Sequence, residues 1–354
     1  MKHLEEEAAA LIKRLLGEVP FLAVEGIERE ARLAAGERPD LLVRIASGGQ
    51  RYRLVCEFKA QGQPRTARQA AAQLRYYCDR IGKNAYGVFL APYLSPASRQ
   101  ICIEHGIGFA DLAGNCRLVF DSVFIERETA AKPVAERREL RSLFTPKSAQ
   151  VLRTMLRDPA RPWKVTDLAE KAGVSIGHVS NVRSALLERE WAQAGPDGFY
   201  ISDPDSLLDE WRDDYRGPPG KRLAFYTTLH GNALAAAVRG ALLEAGAPGN
   251  AMLASYSAAH WLAPYARVPT EYFYADSEGL RALEHALRLS SIAKGENVIV
   301  WRLDDDGLFR DAVEPAAGIR CTGPVQTYLD LSIAGERGRE AADHLRAERL
   351  SWHR

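Results

Sequence analysis

Two short apolar runs on either side of a Gly-Gly pair constrain the fold of this chain more than any other feature. Residues 39–46 read PDLLVRIA, residues 51–59 read RYRLVCEFK, and the four residues SGGQ separate them. Aliphatic and β-branched runs around a Gly-Gly pair are typical of a β-hairpin with a two-residue loop. If the two glycines form that loop, Ser47 pairs with Gln50, and this pairing fixes every other pair in the hairpin.

Counting outward from this loop places Asp40 directly opposite Glu57. Opposed residues share a sheet face, and Lys59 lies on the same face because it is two residues beyond Glu57. Two carboxylates facing each other are unfavourable unless a cation offsets them, and a divalent cation with oxygen ligands does so. The register therefore predicts a site of two carboxylates and one ammonium. The alternative is a surface hairpin with ordinary solvated charges.

The same residues resemble the PD-(D/E)XK nuclease superfamily, through Pro39-Asp40 and the triplet Glu57-Phe58-Lys59. A helix predicted from Pro64 to about Arg80 carries Gln73 and Tyr77, which are similar to the Q-x-x-x-Y element of RecB-like and resolvase-like members. The resemblance implies a restriction-endonuclease-like α/β domain over residues 1–128. It further implies a nuclease site in which Asp40 and Glu57 bind Mg2+ if the site is active. The implied catalytic residues are Asp40, Glu57, Lys59, Gln73 and Tyr77.

Two features of this region have competing interpretations. The Gln73 and Tyr77 positions also fit the polar stripe of an ordinary amphipathic helix. Asp111, in the stretch GIGFADLAGN, is either a further site residue or the aspartate of a turn. Strands alternating with helices indicate an α/β sandwich in either case.

Composition limits the number of domains and the kinds of partner. A chain of 354 residues is expected to form two or three domains. Its net charge of +1 gives no global positive field, so any nucleic-acid binding must come from local patches. Five cysteines without a C-x-x-C pair are typical of reduced thiols. No apolar run is long enough to span a membrane and no signal peptide is recognisable, so we expect a cytoplasmic protein without a membrane partner.

Residues 126–140 are charged and poor in large apolar side chains, which predicts a linker. Residues 142–204 then show the pattern of a winged helix-turn-helix, with Thr166 and Ser175 as candidate helix caps. The second helix of such a unit enters the major groove of DNA with its N-terminal residues nearest the bases. The candidate DNA-binding residues are Ser175, Gly177, His178, Ser180, Asn181 and Arg183.

Two of these candidates suit specific contacts. Asn181 has the chemistry to read adenine, and Arg183 has the chemistry to bind guanine or a phosphate. Winged helices also serve as plain packing or protein-contact modules, so the pattern alone leaves that alternative open.

The last part of the chain, residues 219–354, alternates strands and helices and predicts a C-terminal α/β domain. Three stretches resemble AbiEi-like antitoxins of type IV toxin–antitoxin systems: the helix-turn-helix itself, YSAAHWLAPYARVPTEYFYA and PVQTYLDLSIAGERGREAADHLR. The resemblance covers roughly residues 142–350. It implies a transcriptional regulator that represses its own operon and counteracts a nucleotidyltransferase toxin. This chain departs from that pattern because its winged helix is central and nuclease-like sequence precedes it.

The sequence therefore supports two main hypotheses. The first is a DNA-binding transcriptional regulator, antitoxin-like and connected with phage defence, which binds double-stranded DNA through the winged helix and can form a homodimer on two half-sites. The alternative is an Mg2+-dependent DNA nuclease that the winged helix targets. A third hypothesis is an interaction protein in a phage-defence operon, with an operon-encoded nucleotidyltransferase as its functional partner.

Overall fold

The structure, a computed structural model, describes residues 2–33, 36–129, 132–244, 250–265, 268–292 and 294–352. The chain divides into two units. The first comprises Met1–Glu139 with Ala185–Glu190, and the second comprises Leu140–Ser184 with Trp191–Arg354. Residues predicted as separate winged-helix and C-terminal domains thus lie for the most part in the same unit. Among the described residues, no helix is both long and apolar enough to span a membrane.

Unit 1 contains a seven-stranded sheet whose spatial order follows the order of the chain. Its strands are β1 Leu22–Arg29, β2 Leu41–Ser47, β3 Gln50–Phe58, β4 Ala85–Ala91, β5 Gly108–Asp111, β6 Cys116–Phe120 and β7 Val123–Arg127. Three helices accompany it, namely α1 Lys2–Gly17, α2 Pro64–Ile81 and α3 Pro96–Glu104. The central pairs β3–β4 and β4–β5 are parallel, and the outer pairs are antiparallel.

Helices cover both faces of this sheet. The apolar side chains of α1 pack with Leu41 and Val43 on one face, whereas those of α2 and α3 pack with Leu42 and Val55 on the other. Neighbouring residues of a strand point to opposite faces, so each buried strand contributes to both cores. Most residues of β2 are apolar because the strand is buried on both sides.

The predicted hairpin register is confirmed. Ser47 pairs with Gln50, and the ladder of β2 and β3 continues to the pair Leu41 and Cys56. Both loop glycines have positive φ angles, +55° and +83°, a conformation that a side chain would disfavour. This loop geometry holds Asp40 and Glu57 one position beyond the last pair.

The prediction of a linker over residues 126–140 is wrong. It includes the end of β7, and a helix, α4 Val134–Leu143, begins within it. The helix has few large apolar residues because only Leu140 and Leu143 are buried. The predicted strands also omitted β1 and β7, which are the two edges of the sheet.

Residues 146–201 form three helices followed by a two-stranded antiparallel sheet, and all of them lie in unit 2 except the last four residues of the third helix, which belong to unit 1. These elements are α5 Pro146–Leu156, α6 Val165–Ala172, α7 Ile176–Glu188, β8 Ala192–Gly195 and β9 Gly198–Ile201. Ser175 caps α7 as predicted, because its Oγ accepts the backbone N–H of His178 at 3.3 Å. Thr166 does not cap α6, because this helix begins at Val165 and Lys164 occupies the N-cap position.

The rest of unit 2 is built around a second seven-stranded sheet. Its helices are α8 Pro204–Asp214, α9 Gly231–Glu244, α10 Ser255–Leu262, α11 Ser277–Ala286, the 3₁₀ helix Asp306–Asp311, α12 Pro324–Ser332 and α13 Glu336–Arg349. Its strands are β10 Lys221–Tyr226, β11 Ala251–Leu253, β12 Glu271–Ala275, β13 Ser290–Ser291, β14 Val298–Arg302, β15 Val313–Ala316 and β16 Ile319–Cys321. The spatial order is β13-β10-β14-β12-β11-β16-β15. One face packs on α9 and α11, while Met252 and Tyr274 pack with Leu308 and Phe309 in a separate cluster.

Candidate functional site

The hairpin of unit 1 brings Asp40 and Glu57 together at its open end. Asp40 Oδ2 accepts a hydrogen bond from the backbone N–H of Phe58, with an N···O distance of 2.7 Å. This bond ties the residue before β2 to the end of β3. The two carboxyl groups are close enough to interact. Burial is the largest influence on the pKa of Glu57, the hydrogen bond from Lys59 is the second, and the charge of Asp40 raises this pKa further.

Glu57 is almost completely buried, with 1% of its surface exposed. Burial raises the pKa of its carboxyl group, the hydrogen bond from Lys59 lowers it, and the net shift is upward. Glu57 Oε2 accepts that bond from Lys59 Nζ at 2.8 Å, whereas Oε1 has no hydrogen-bond partner among the described residues. A buried carboxylate oxygen without a partner is costly, and a bound cation would remove that cost.

Lys59 is the cationic member of this group. Burial lowers the pKa of its ammonium group, but the hydrogen bond and charge of Glu57 and the charge of Asp40 outweigh burial, so the pKa lies above its usual value. The side chain is therefore a charged ammonium at neutral pH. It suits stabilisation of negative charge and does not suit the role of a general base.

Helix α2 contributes the two remaining predicted catalytic residues. Gln73 Nε2 donates a hydrogen bond to the hydroxyl group of Tyr77 at 2.7 Å. Tyr77 is buried and lies near enough to Lys59 to raise the pKa of its ammonium group. The structure thus links all five predicted residues, Asp40, Glu57, Lys59, Gln73 and Tyr77, through contacts or electrostatic interactions within unit 1.

The donor set is small for a metal site. The described part of the chain has no group of three or more His, Cys, Asp and Glu residues arranged to hold a metal ion. Asp40 and Glu57 supply two carboxylates, which is enough for Mg2+ because that ion keeps several waters and shares its shell with substrate phosphates. The unpartnered Oε1 of Glu57 is the structural observation that fits such an ion.

Asp111 has a different environment from these residues. It is fully buried and accepts hydrogen bonds from the backbone N–H groups of Leu94 and Asn115, each at 2.9 Å. The Asn115 amide donates a third bond at 2.8 Å. Burial raises the pKa of this carboxyl group, and these bonds oppose the shift. Its role in the structure is to hold the turn that follows β5.

The N-terminal half of α7 presents small polar groups to solvent. Ser175, Gly177 and Asn181 are exposed, and Ile176 between the first two is 56% exposed. A Cβ atom built on Gly177 would meet nothing within 4 Å, so space is open beside the backbone there. The opposite side of the helix is anchored by buried residues such as Val179.

The other predicted DNA-binding residues are half-buried. His178 Nε2 lies 3.0 Å from Ser148 Oγ on α5, and the Arg183 guanidinium lies 5.7 Å from the ring centroid of Phe199 in β9. Ser180 is also partly covered. These contacts connect His178 and Arg183 to the surrounding unit, whereas Asn181 is exposed.

Sequence reasoning missed a buried polar cluster in unit 2. Asp330 accepts hydrogen bonds from the hydroxyl groups of Tyr215 and Tyr274, each with an O···O distance of 2.6 Å, and from the Gln326 amide at 3.0 Å. Burial raises the pKa of Asp330 to about 6. The available signal was the spacing of Gln326 and Asp330, four residues apart on the buried side of α12.

The comparison with protein families gives a match in the C-terminal part of the chain. Residues 200–351 match the family described as transcriptional regulator, AbiEi antitoxin, type IV toxin–antitoxin system. The resemblance predicted for this part of the chain is therefore confirmed. The matched residues begin within β9, so α5, α6 and α7 precede them. No curated protein matches the sequence.

Solved structures of endonucleases are similar to part of the chain. A complex of EndoMS with double-stranded DNA is 22% identical, with a TM-score of 0.22, and covers 30% of this chain and 44% of its own. A repair endonuclease from Pyrococcus abyssi is 19% identical, with the same TM-score, and covers 29% of this chain and 46% of its own. The chain thus spans less than half of either protein. The nuclease-like interpretation of unit 1 rests on the geometry of its own residues.

Proposed function

We propose that this protein is a DNA-binding transcriptional regulator of the antitoxin type. The family match over residues 200–351 supports the regulator role. The observation that carries the proposal is the exposed N-terminal half of α7, which follows two helices and precedes a hairpin in the order typical of a winged helix-turn-helix. In this proposal α7 enters the major groove, and the hairpin of β8 and β9 is the wing.

Asn181 is the residue best suited to reading a base. Its amide is exposed on α7 and can form two hydrogen bonds with adenine. Ser175 and Gly177 allow a close approach because their side chains are small or absent. Ser180 borders this surface, and His178 and Arg183 position it through α5 and β9. A homodimer would place two α7 helices on two half-sites of one duplex.

The experiment is a mobility shift of the full chain with the DNA upstream of its own reading frame. We expect the wild type to prefer this DNA over random duplex, and Asn181→Ala to reduce its affinity by about tenfold because a bidentate base contact is lost. Asn232→Ala is the matched control, since Asn232 is an exposed helical asparagine at the start of α9. Equal binding of the promoter and random duplex would refute the proposal.

A second candidate function is DNA cleavage by the unit 1 site, and the unpartnered Oε1 of Glu57 favours it. Asp40 and Glu57 would hold Mg2+, together with a backbone carbonyl near Phe58. The ion would supply a Lewis acid and activate water for attack on a phosphodiester. The Lys59 ammonium would neutralise charge on the phosphate, and Gln73 and Tyr77 would position the strand through the bond between them.

The test is incubation of supercoiled, single-stranded and branched DNA with Mg2+ or Mn2+. Cleavage by the wild type that Lys59→Ala abolishes would support the enzyme. Lys83→Ala serves as the control because Lys83 is an exposed lysine just after α2. If none of the substrates is cut, the enzyme hypothesis fails and the regulator remains.

The proposed antitoxin-type regulator would also have a toxin as its functional partner. A nucleotidyltransferase encoded in the same operon would be the functional counterpart of an antitoxin. Co-expression of that neighbour with and without this chain tests the role, and rescue of growth by the chain would support it.

A further inference from the structure

A basic cleft in unit 2 lies beside the turn that connects α6 to α7. Residues of α5, α6 and the 3₁₀ helix line a space of about 90 Å³ that opens to solvent. Four cationic side chains line it, those of Arg153, Arg157, Lys171 and Arg310, and Asp311 is its one acidic residue. The lining therefore has a strong excess of positive charge. We define these five residues as the basic cleft.

Asp311 offsets only part of this charge. Its Oδ1 accepts a hydrogen bond from Arg157 Nε at 2.7 Å, and its Oδ2 lies 3.8 Å from Arg153 Nε. Arg310 forms an ion pair with Asp306, outside the lining, at 3.2 Å. Positive charge in a concave site attracts an anion.

Arg153 is the buried cation of this cleft. Only 4% of its side chain is exposed, and Nε has no hydrogen-bond partner among the described residues. Its NH1 group is engaged, since it donates to Gln326 Oε1 at 3.3 Å. Burial lowers the pKa of this guanidinium, and Asp311 opposes the shift. Its Nε lies 3.8 Å from Asp311 Oδ2, beyond hydrogen-bond distance, so Asp311 balances the charge of this buried guanidinium only in part.

The cleft also touches the turn before α7. Lys171 is in the last turn of α6, and Gly173 has a left-handed φ of +67°. A Cβ atom at Gly173 would lie 2.9 Å from the guanidinium of Arg310, so Arg310 packs against this turn. A ligand held by Lys171 and Arg310 would therefore act on the residues that set the start of α7.

We propose that the basic cleft binds a small ligand that carries a phosphate group, and that the bound ligand changes the affinity of α7 for DNA. Several oxygens and more than one negative charge match a site with four cations, which favours phosphate over a carboxylate. The cleft is a concave space of about 90 Å³, which favours a small ligand over the backbone of a duplex. The second part of the proposal rests on the proposed function.

The test is titration calorimetry of the full chain with pyrophosphate, in buffer that contains EDTA so that the unit 1 site holds no metal. We expect saturable binding, and roughly tenfold weaker binding in the double variant Lys171→Ala with Arg310→Ala. Both side chains are exposed, so the variant is expected to fold. Arg281→Ala is the control, because Arg281 is an exposed arginine on α11 away from the cleft.

Three outcomes would overturn the ligand site: no saturable binding, equal binding by the double variant, or loss of DNA affinity by that variant when no phosphate compound is present. The last outcome would identify the cleft as a contact with the DNA backbone. Parallel titrations with inorganic phosphate and ADP distinguish a free phosphate from a nucleotide. Calorimetry needs no DNA, so pyrophosphate binding by a chain that recognises no promoter would support the site while refuting the proposed function.

Discussion

Glu57 is a buried carboxyl group of unit 1 whose charged form is unfavourable. Its carboxyl group is buried, one oxygen is bonded to Lys59, and the other has no partner among the described residues. The raised pKa shows that burial and Asp40 together outweigh the attraction of Lys59. Folding therefore makes the charged form of this group less favourable than it is in the unfolded chain, and a bound cation would oppose that effect.

We predict that Glu57→Gln stabilises the metal-free protein at pH 7. Because the folded pKa is raised, the contribution of Glu57 to stability is fully present below its unfolded pKa and is lost as the pH rises through the folded pKa. The amide cannot ionise and so avoids the cost of a buried charge, and we expect a gain of about 1 kcal/mol in the free energy of unfolding. Denaturant titration at pH 4 and pH 7 measures it.

The control for this variant is Glu104→Gln, at an exposed position on α3. Adding Mg2+ should raise the unfolding midpoint of the wild type and of Glu104→Gln, but not of Glu57→Gln. A Glu57→Gln protein that is less stable than the wild type at pH 7 would show that the pair with Lys59 dominates.

A second residue-scale prediction concerns Asp330 in unit 2. Its pKa is raised to about 6, so its contribution to stability is present at low pH and is lost as the pH rises through about 6. We expect Asp330→Asn to remove this part of the pH dependence, which amounts to roughly 3 kcal/mol between the two limits. Unfolding curves from pH 4 to pH 8 measure the slope. A slope equal to that of the wild type would show that Asp330 is not the group that titrates.

At the scale of elements, α7 has a position where a substitution changes the stability of the helix and its DNA binding in opposite directions. Gly177 lies near its N-terminus, where an acidic side chain is favourable and where a Cβ atom meets no neighbour. A negative charge at the same place would face the phosphates of bound DNA. One substitution can therefore strengthen the helix and weaken recognition.

We predict that Gly177→Glu keeps or raises the unfolding midpoint while it reduces promoter affinity by at least about tenfold. Fluorescence anisotropy with labelled promoter DNA and thermal unfolding give the two readouts. Gly240→Glu on α9 is the matched control, because a Cβ atom there also meets nothing within 4 Å. Undiminished affinity in Gly177→Glu would place the DNA elsewhere on the molecule.

The elements also show which local signals are reliable. The hairpin of β2 and β3 could be predicted because its turn chemistry and its alternation agree. The edge strands β1 and β7 were missed because charged residues such as Glu25, Glu28 and Glu126 interrupt their apolar pattern, as is usual for strands that must not pair with another chain. Helix α4 was missed because only Leu140 and Leu143 are buried, so its sequence has little apolar periodicity.

The residues of the candidate site could be predicted from the sequence, but the hydrogen bonds of their buried atoms could not. The loop register decides whether Asp40 and Glu57 meet, and two glycines fix that register. The missing partner of Glu57 Oε1 depends on where the Lys59 ammonium lies, which no spacing rule gives. The Asp330 cluster depends on Tyr215 and Tyr274, which lie in segments far from α12 in the sequence.

At the scale of the whole molecule, the net charge of +1 means that affinity for DNA must come from local surfaces. The candidate magnesium site belongs to unit 1, and the exposed part of α7 belongs to unit 2. We therefore predict that Lys59→Ala leaves promoter affinity unchanged within about twofold, because Lys59 is not among the residues proposed to contact DNA. A mobility shift with the promoter measures it. A large loss of affinity would indicate that the unit 1 site takes part in promoter recognition.

The central claim is that α7 recognises a particular DNA sequence, and selection of bound duplexes from a randomised library tests it most directly. The full wild-type chain should enrich a single motif over successive rounds, and Asn232→Ala should enrich the same motif. Asn181→Ala should enrich a motif that has lost one position, since a base contact is removed. A library that stays random after selection with the wild type would contradict the account.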